Sequence, residues 1–377
     1  MQHRSVGAMV LDRIRKSPNG PALRLKKGSA WTDISWSQAG ARMERIAAGL
    51  LTAKGGVAER AAITILGGTS ADWIICDFAA LSIGLRTVPV YATLLPEEVG
   101  YLHVDTDAVL AIVENREQLE KVRAIREGFE FFDKSYSASD VKVQHIVVMD
   151  PTGIEPADDW ESLSDLEARG ASELENTAEE RKSRLDPLDR DDVCTYTYTS
   201  GTTGPPKGVI QTNGNMLSML ESAGSTGVLA TELSTNGLFL FLPLAHSFGR
   251  LIELASPFFE SPTIISGIPT LVDDLKATRP SFFPAAPRVY EKMKAKIEAA
   301  VAGAPPIRQK LFKWAMDTGK ATVPYRARNK KLPLKLELES RLADKLVHSK
   351  LRAKLGFDRT EVLLSGSAPL EPSVHEF

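Results

Sequence analysis

Residues 195–209 read TYTYTSGTTGPPKGV. From Thr195 to Thr199 hydroxyl and aromatic side chains alternate, the period-two pattern of a strand. The chain then enters a turn made of Ser200, Gly201, Thr202, Thr203 and Gly204, followed by Pro205, Pro206 and Lys207. Gly201 and Gly204 admit backbone geometry closed to residues with a β-carbon, which lets amide N–H groups approach anionic oxygens. Ser200, Thr202 and Thr203 add hydroxyl donors, Lys207 adds a compact positive charge, and the two prolines restrict the loop. Such a turn suits a polyphosphate; the alternative is a strand connection that is merely rich in glycine. It is not a Walker-type P-loop, because Lys207 stands between Pro206 and Gly208 where that pattern needs Gly-Lys-Ser/Thr, and no G-x-G-x-x-G spacing marks a dinucleotide fingerprint.

Outward from this turn, short apolar runs alternate with longer helical segments, the texture of α/β layers. Residues 61–66, 87–90, 108–114 and 145–149 read as strands. Helices are expected after Gly67-Gly68, from about Pro96 and over the charged REQLEKVRAIREG. An acidic, irregular connection with one or two short helices fills 151–192. A second block opens at 193 with two strands flanking the glycine turn and a helix from about Gly214. Residues 238–243, 263–266 and 281–284 are further strand candidates, 288–356 is a run of long amphipathic helices rich in Lys and Arg, and 361–370 returns to strand and turn. The expected division is a first α/β subdomain at 1–150 and a second at 193–377, with no internal repeat and no low-complexity segment.

The totals limit the function classes. The chain has 377 residues, 43% of them apolar and 25% charged, as in ordinary globular proteins. A net charge of −2 gives no sign of a nucleic-acid-binding surface. The two cysteines, Cys76 and Cys194, can form neither a disulfide framework nor a four-thiolate zinc site, which points to a reducing, cytoplasmic setting. The N-terminal residues lack the apolar core of a secretory signal, and no apolar run reaches membrane-spanning length. Peripheral contact with a membrane stays open: the basic helices of 288–354 could meet anionic lipid, although the acids scattered among them favour a solvated face. The six histidines suggest no metal site, and no metal-ligating residue is assigned.

YTSGTTGPPKGV resembles the phosphate-loop signature of the adenylate-forming superfamily, which comprises acyl-CoA synthetases, peptide-synthetase adenylation domains and luciferases. Other stretches agree in order: FLPLAHSFGR (241–250) resembles the segment lining the acyl and nucleotide pocket, LLSGSAPL (363–370) the loop along the adenine, and residues 88–114 an early strand-helix-strand unit. The helical segments IRQKLFKWAMDTG (307–319) and LADKLVHSKLRAKLG are similar to an insertion of long-chain fatty acyl-CoA synthetases. The likeness covers nearly the whole chain. It implies a fold of layered α/β subdomains, the N-terminal domain of an adenylate-forming enzyme, incomplete and with the C-terminal lid domain absent.

The resemblance implies ATP-dependent activation of a long-chain fatty acid, first to the acyl-adenylate and then to acyl-CoA, with coenzyme A as cosubstrate and Mg2+ bridging phosphate oxygens. Thr199, Ser200, Gly201, Thr202, Thr203, Gly204 and Lys207 would hold the β- and γ-phosphates, and catalysis would rest on positioning and electrostatics. His246 on its own context is a structural histidine at a strand–helix junction. Within PLAHSFG, His246 and Phe248 would wall the pocket for the carboxylate and α-phosphate, and His246 and Lys207 are the expected catalytic groups. Gly366, Ser367, Ala368 and Pro369 would border the adenine, their small side chains admitting a flat base; they also read simply as a turn after a buried strand.

Two features depart from the family pattern. Asn213 stands where His is usual, and Asn caps a following helix well. The chain also stops at LEPSVHEF, before the aromatic-Gly-x-Thr-Glu segment, the ribose-binding Asp and the lid lysine, and a truncation is the expected reading. Two functions follow. One is the larger part of the N-terminal domain of a long-chain fatty acid–CoA ligase, inactive alone. The other is a non-catalytic nucleotide-binding or interaction protein, with adenylation of another carboxylic acid as a variant of the first. Oligomeric state and acyl chain length are not set by the sequence.

Overall fold

A computed structural model describes residues 3–199, 204–225 and 236–377. The chain forms two compact units, Met1–Thr235 with Leu240–Ser266, and Asn236–Phe239 with Gly267–Phe377.

In the first unit the described strands build a seven-stranded sheet, in the order Lys207–Thr212, Val193–Thr199, Arg86–Val90, Ala62–Leu66, Leu110–Val113, His145–Val148, Trp160–Ser162. Neighbours run parallel except Lys207–Thr212, which returns antiparallel to Val193–Thr199. Every residue of Ala62–Leu66, Leu110–Val113 and His145–Val148 is buried, which explains their continuous apolar runs: a parallel strand covered on both faces has no solvent side to alternate with. The crossover helices begin where the sequence caps them. Ser70 Oγ accepts from Trp73 N ahead of Ala71–Ser82, and Asn115 Oδ1 from Gln118 N ahead of Arg116–Ile125. Ser35 and Gln38 form a reciprocal capping box on Trp36–Leu51. His103, in helix Pro96–Asp105, is fully buried between Thr64 Oγ1 and the Val99 carbonyl, at 2.9 and 2.8 Å. Its pKa is pushed down to about 4 by desolvation, so it is a neutral core residue.

The expected strands before 151 are present. The stretch 151–192 contributes more than a connection: besides helices Leu163–Ser172 and Ala178–Leu185 it supplies the edge strand Trp160–Ser162. The strand at 193 does not open a separate sheet. It pairs with Arg86–Val90 and completes that of the first block. The first unit also holds a feature the sequence reading passed over, the hairpin Pro21–Lys27/Ala30–Ser35, whose first strand runs parallel to Thr263–Ile265.

In the second unit Phe282–Ala285 lies between Leu238–Leu240 and Val362–Ser365, parallel to both. Phe239, Phe283, Phe357 and Tyr290 pack together there, with ring centroids 5.1–5.9 Å apart for their contacts with Phe283. The expected long helices follow: Pro287–Ala302, Pro306–Arg326, and a continuous helical run over Leu334–Ala343, a π-helical turn Asp344–His348 and Ser349–Leu355. No helix among the described residues is long and apolar enough to cross a membrane.

Candidate nucleotide and carboxylate site

The glycine turn closes a hairpin. Thr199 lies opposite Lys207 and Tyr198 opposite Gly208. Ser200, Gly201, Thr202 and Thr203 lie outside the described residues. The strand leading into the turn is fixed on both faces. Thr195 Oγ1 donates to the Thr87 carbonyl at 2.9 Å and Thr197 Oγ1 to Gln211 Oε1 at 2.7 Å. On the other face the Tyr198 hydroxyl donates to Asp105 Oδ2 at 2.6 Å, and burial, reinforced by this bond, raises its pKa. Gly204 has φ +156° with no atom within 4 Å of where a β-carbon would sit, and Lys207 is exposed. Among the described residues no carboxylate pairs with Lys207. The hydrogen-bonded strand thus leads toward a cation, Lys207, for which no counter-ion is found among the described residues.

The sheet register places the strand that leads into this turn. Thr195 lies opposite Thr87, and Thr87 opposite Ile63, and from there Val193–Thr199 runs on toward the carboxyl ends of the parallel strands. In open α/β sheets ligands bind at that edge. From the loop after Ala62–Leu66, Thr69 Oγ1 donates to the Leu242 carbonyl at 2.7 Å, which holds the Leu242–His246 segment to the same edge.

His246 caps helix Ser247–Phe259. Its Nδ1 accepts from the Phe248 backbone N–H at 3.1 Å, while its own N–H donates to the Pro243 carbonyl at 3.1 Å. Gly249 is required here, since a β-carbon would lie 2.2 Å from the Pro243 carbonyl oxygen. With Nδ1 occupied as an acceptor, the neutral ring carries its proton on Nε2. His246 is exposed and Phe248 half-buried, so the helix start presents an N–H donor beside an aromatic wall.

Beneath this helix start lies a buried charge cluster. Arg250 Nη1 is 2.7 Å from Asp77 Oδ2 and 2.6 Å from Glu253 Oε2, all three side chains being at most 1% exposed. The Arg250 guanidinium lies 5.4 Å from the centre of the Trp73 ring, and its Nη2 reaches Thr87 Oγ1 at 3.5 Å. Asp77 Oδ1, Glu253 Oε1 and Arg250 Nε have no hydrogen-bond partner among the described residues. One cation faces two carboxylates in a site that burial makes costly for charge, so the pKa of Glu253 is pushed well above the carboxylate range by desolvation, against the attraction of Arg250. The cluster locks helix Ser247–Phe259 onto helix Ala71–Ser82 and strand Arg86–Val90, and through Thr87 onto the strand that carries the glycine turn.

The remaining expected residues belong to the second unit. Gly366 follows strand Val362–Ser365 and donates its N–H to the Ala285 carbonyl at 3.3 Å. Ser367 has φ +74°, uncommon for a residue with a side chain. Ser367, Ala368 and Pro369 are exposed.

The AMP-binding enzyme family model matches residues 11–377.

The chain belongs to the AMP-binding enzyme family.

Among its curated relatives are a long-chain-fatty-acid–CoA ligase, ACSBG2, of Gallus gallus, 30% identical over 94% of this chain and 45% of the relative. Fatty acyl-CoA synthetase A of Dictyostelium discoideum is 30% identical over 91% and 47%, and the long-chain-fatty-acid–CoA ligase FadD15 of Mycobacterium tuberculosis is 30% identical over 100% and 58%. The chain spans about half the length of these relatives. Similar solved folds include the A-PCP didomain of a carboxylic acid reductase from Segniliparus rugosus in complex with AMP, at TM-score 0.62 and 17% identity over 99% of this chain and 50% of that one. Another is the N-terminal domain of FACL13 from Mycobacterium tuberculosis, at TM-score 0.57 and 22% identity over 78% and 65%. The fold is thus that of the N-terminal domain of adenylate-forming enzymes.

Of the expected site residues, Lys207 and His246 are exposed and no atom lies within 4 Å of a β-carbon built at Gly204. Among the described residues no group of three His, Cys, Asp or Glu could hold a metal ion. Thiol nucleophiles are also excluded at Cys76 and Cys194, both buried, with pKa values raised by desolvation, to about 12 for Cys194. The sequence reading gave Arg250 no role, although Asp77, an acid in the middle of the apolar IICDFAAL, was a signal for a buried partner.

Proposed function

We propose that this chain is the nucleotide- and carboxylate-holding part of a long-chain fatty acid–CoA ligase. The observation that carries the reading is the cation at Lys207, in register with Thr199 and without a described counter-ion, at the carboxyl edge to which the His246 segment is also fastened. In the first half-reaction a carboxylate oxygen bonds to the α-phosphorus of ATP as the bond to the pyrophosphate oxygen breaks. In the second, the thiolate of coenzyme A bonds to the acyl carbon and AMP leaves. Charge grows on the departing pyrophosphate, and Lys207 with the turn 199–204 would neutralise it. The His246 Nε2–H would orient the carboxylate and α-phosphate oxygens, with Phe248 excluding water. Ser367 and its neighbours would lie along the adenine. Magnesium would arrive with ATP, held by phosphate oxygens.

The long-chain class is supported by the relatives' names and by a mainly apolar cavity of about 300 Å³ in the second unit. Met293, Ile297, Leu351, Leu355, Phe357 and Leu363 line it together with Lys294, Arg352 and His375, and it reaches Ser365, next to the proposed adenine turn. The two free thiols suit a cytoplasmic setting, with peripheral contact to a membrane.

Titration with ATP and with pyrophosphate tests the reading. Saturable binding of both is expected, weakened at least tenfold by Lys207→Ala, the loss of one charge-assisted contact costing about 1.5–3 kcal/mol. Binding that ignores Lys207→Ala would overturn the phosphate assignment. In pyrophosphate exchange, palmitate is expected to outperform amino acids and aryl acids. Exchange with the latter alone would reassign the substrate, and nucleotide binding without exchange for any acid would favour a binding protein.

A further inference from the structure

Helix Ala71–Ser82 grips the segment that carries His246 at two points. Just ahead of the helix, Thr69 Oγ1 donates to the Leu242 carbonyl at 2.7 Å. Inside the helix, Asp77 Oδ2 lies 2.7 Å from Arg250 Nη1, both side chains being at most 1% exposed. The two points have the same spacing on each partner, eight residues, with 69 and 77 facing 242 and 250. Between them the buried Trp73 lies with its ring centre 5.4 Å from the Arg250 guanidinium. His246 stands midway between the two gripped residues.

Thr69 is itself held in place. The Gly68 N–H before it donates to Glu114 Oε2 at 2.8 Å, and Gly67 packs on the same side chain, where a β-carbon would lie 2.8 Å from Glu114 Cβ. After it, Ser70 caps the helix through Trp73 N. From the buried Leu242 the geometry passes to His246 through Pro243, whose ring fixes φ and whose carbonyl accepts the His246 backbone N–H at 3.1 Å. The His246 ring is exposed, and among the described residues it bonds only the Phe248 N–H. Its position therefore depends on the backbone beneath it.

We propose that Thr69 is a positioning residue for His246: its hydroxyl, by holding the Leu242 carbonyl, fixes the ring at the carboxyl edge of the sheet without touching a ligand itself. The Asp77–Arg250 grip secures the first turn of helix Ser247–Phe259 but leaves the stretch 242–246 free to pivot about it; the Thr69 bond removes that freedom. What the ring orients, a carboxylate and an α-phosphate oxygen, rests on the ligase reading; that Thr69 holds the ring does not. A reacting group misplaced by a fraction of an ångström loses rate rather than substrate affinity. The phosphate contact at Lys207 lies on a separate hairpin and is untouched by the change.

Nitrogen-15 NMR of the histidine rings in the whole chain tests it, with the His246 signals assigned from His246→Gln. At a pH where the imidazoles are neutral, the parent should show one tautomer of His246, protonated on Nε2. Thr69→Val keeps the shape and removes the donor, and should draw the two ring-nitrogen shifts together as the tautomers mix. Thr69→Ser keeps the donor and should keep the parent signals. In pyrophosphate exchange with palmitate, Thr69→Val should lower kcat by roughly tenfold and change the KM for ATP by less than about twofold. His246 signals that Thr69→Val leaves unchanged, or a Thr69→Ser variant altered as much as Thr69→Val, would overturn the proposal. Should Thr69→Val not fold, Glu114→Ala, which releases the loop from the side of Gly68, is expected to move the same signals, and unchanged signals there would overturn it equally. A parent without exchange would count against the ligase reading alone, since the ring signals decide on Thr69 by themselves.

Discussion

At the scale of single residues, Lys207, His246 and Arg250 differ in how plainly the sequence announces them. Lys207 and His246 stand inside motifs whose wording already suggests a phosphate and a carboxylate. The structure adds the pairing of Thr199 with Lys207 and the acceptor role of Nδ1 that leaves Nε2–H free. Arg250 could not be read in this way, because its partners Asp77, Trp73 and Thr87 are brought to it only by the fold. Its cluster makes a test with a definite sign. Burial raises the Glu253 pKa above its ordinary 4.5, so the folded state holds that proton more tightly than the unfolded chain. The associated stability is complete below pH 4.5 and is lost as pH rises through the folded value. Glu253→Gln cannot titrate. Denaturant melts should therefore show the variant gaining on the parent as pH rises from below 4.5 to neutrality; parallel pH curves would show Glu253 ionised in the fold.

At the scale of elements, the strands buried on both faces were legible because they leave unbroken apolar runs, as in Ala62–Leu66 and His145–Val148. The hairpin Pro21–Lys27/Ala30–Ser35 was not, because its strands are partly exposed and carry charges such as Arg24 and Asp33, which pair across it at 2.7 Å. Trp160–Ser162 is three residues long, too short for any periodicity to register. The junction at 243–249 is the element on which the site leans most. A β-carbon at 249 would meet the Pro243 carbonyl oxygen at 2.2 Å, so Gly249→Ala must shift the helix start and loosen the His246 cap. A thermal melt should show a loss on the order of 1–3 kcal/mol, accompanied by weaker ATP binding. Unchanged stability and affinity would mean that the helix start adapts without moving His246.

For the whole molecule, the family and the layered α/β fold were legible from the glycine turn and the segments in step with it. The division into units was not. The strand at 193 joins a sheet begun more than a hundred residues earlier, through a register that only three dimensions reveal. A long-range parallel pairing leaves no local trace in sequence, whereas a hairpin such as Val193–Thr199/Lys207–Thr212 does. The account of function rests on that hairpin holding the phosphates of ATP. A crystal structure of the chain with ATP bound examines this most directly. A β- or γ-phosphate oxygen should lie within hydrogen-bond distance of Lys207 Nζ and of backbone N–H groups between 199 and 204. A triphosphate seated elsewhere, with Lys207 left in solvent, would contradict the account.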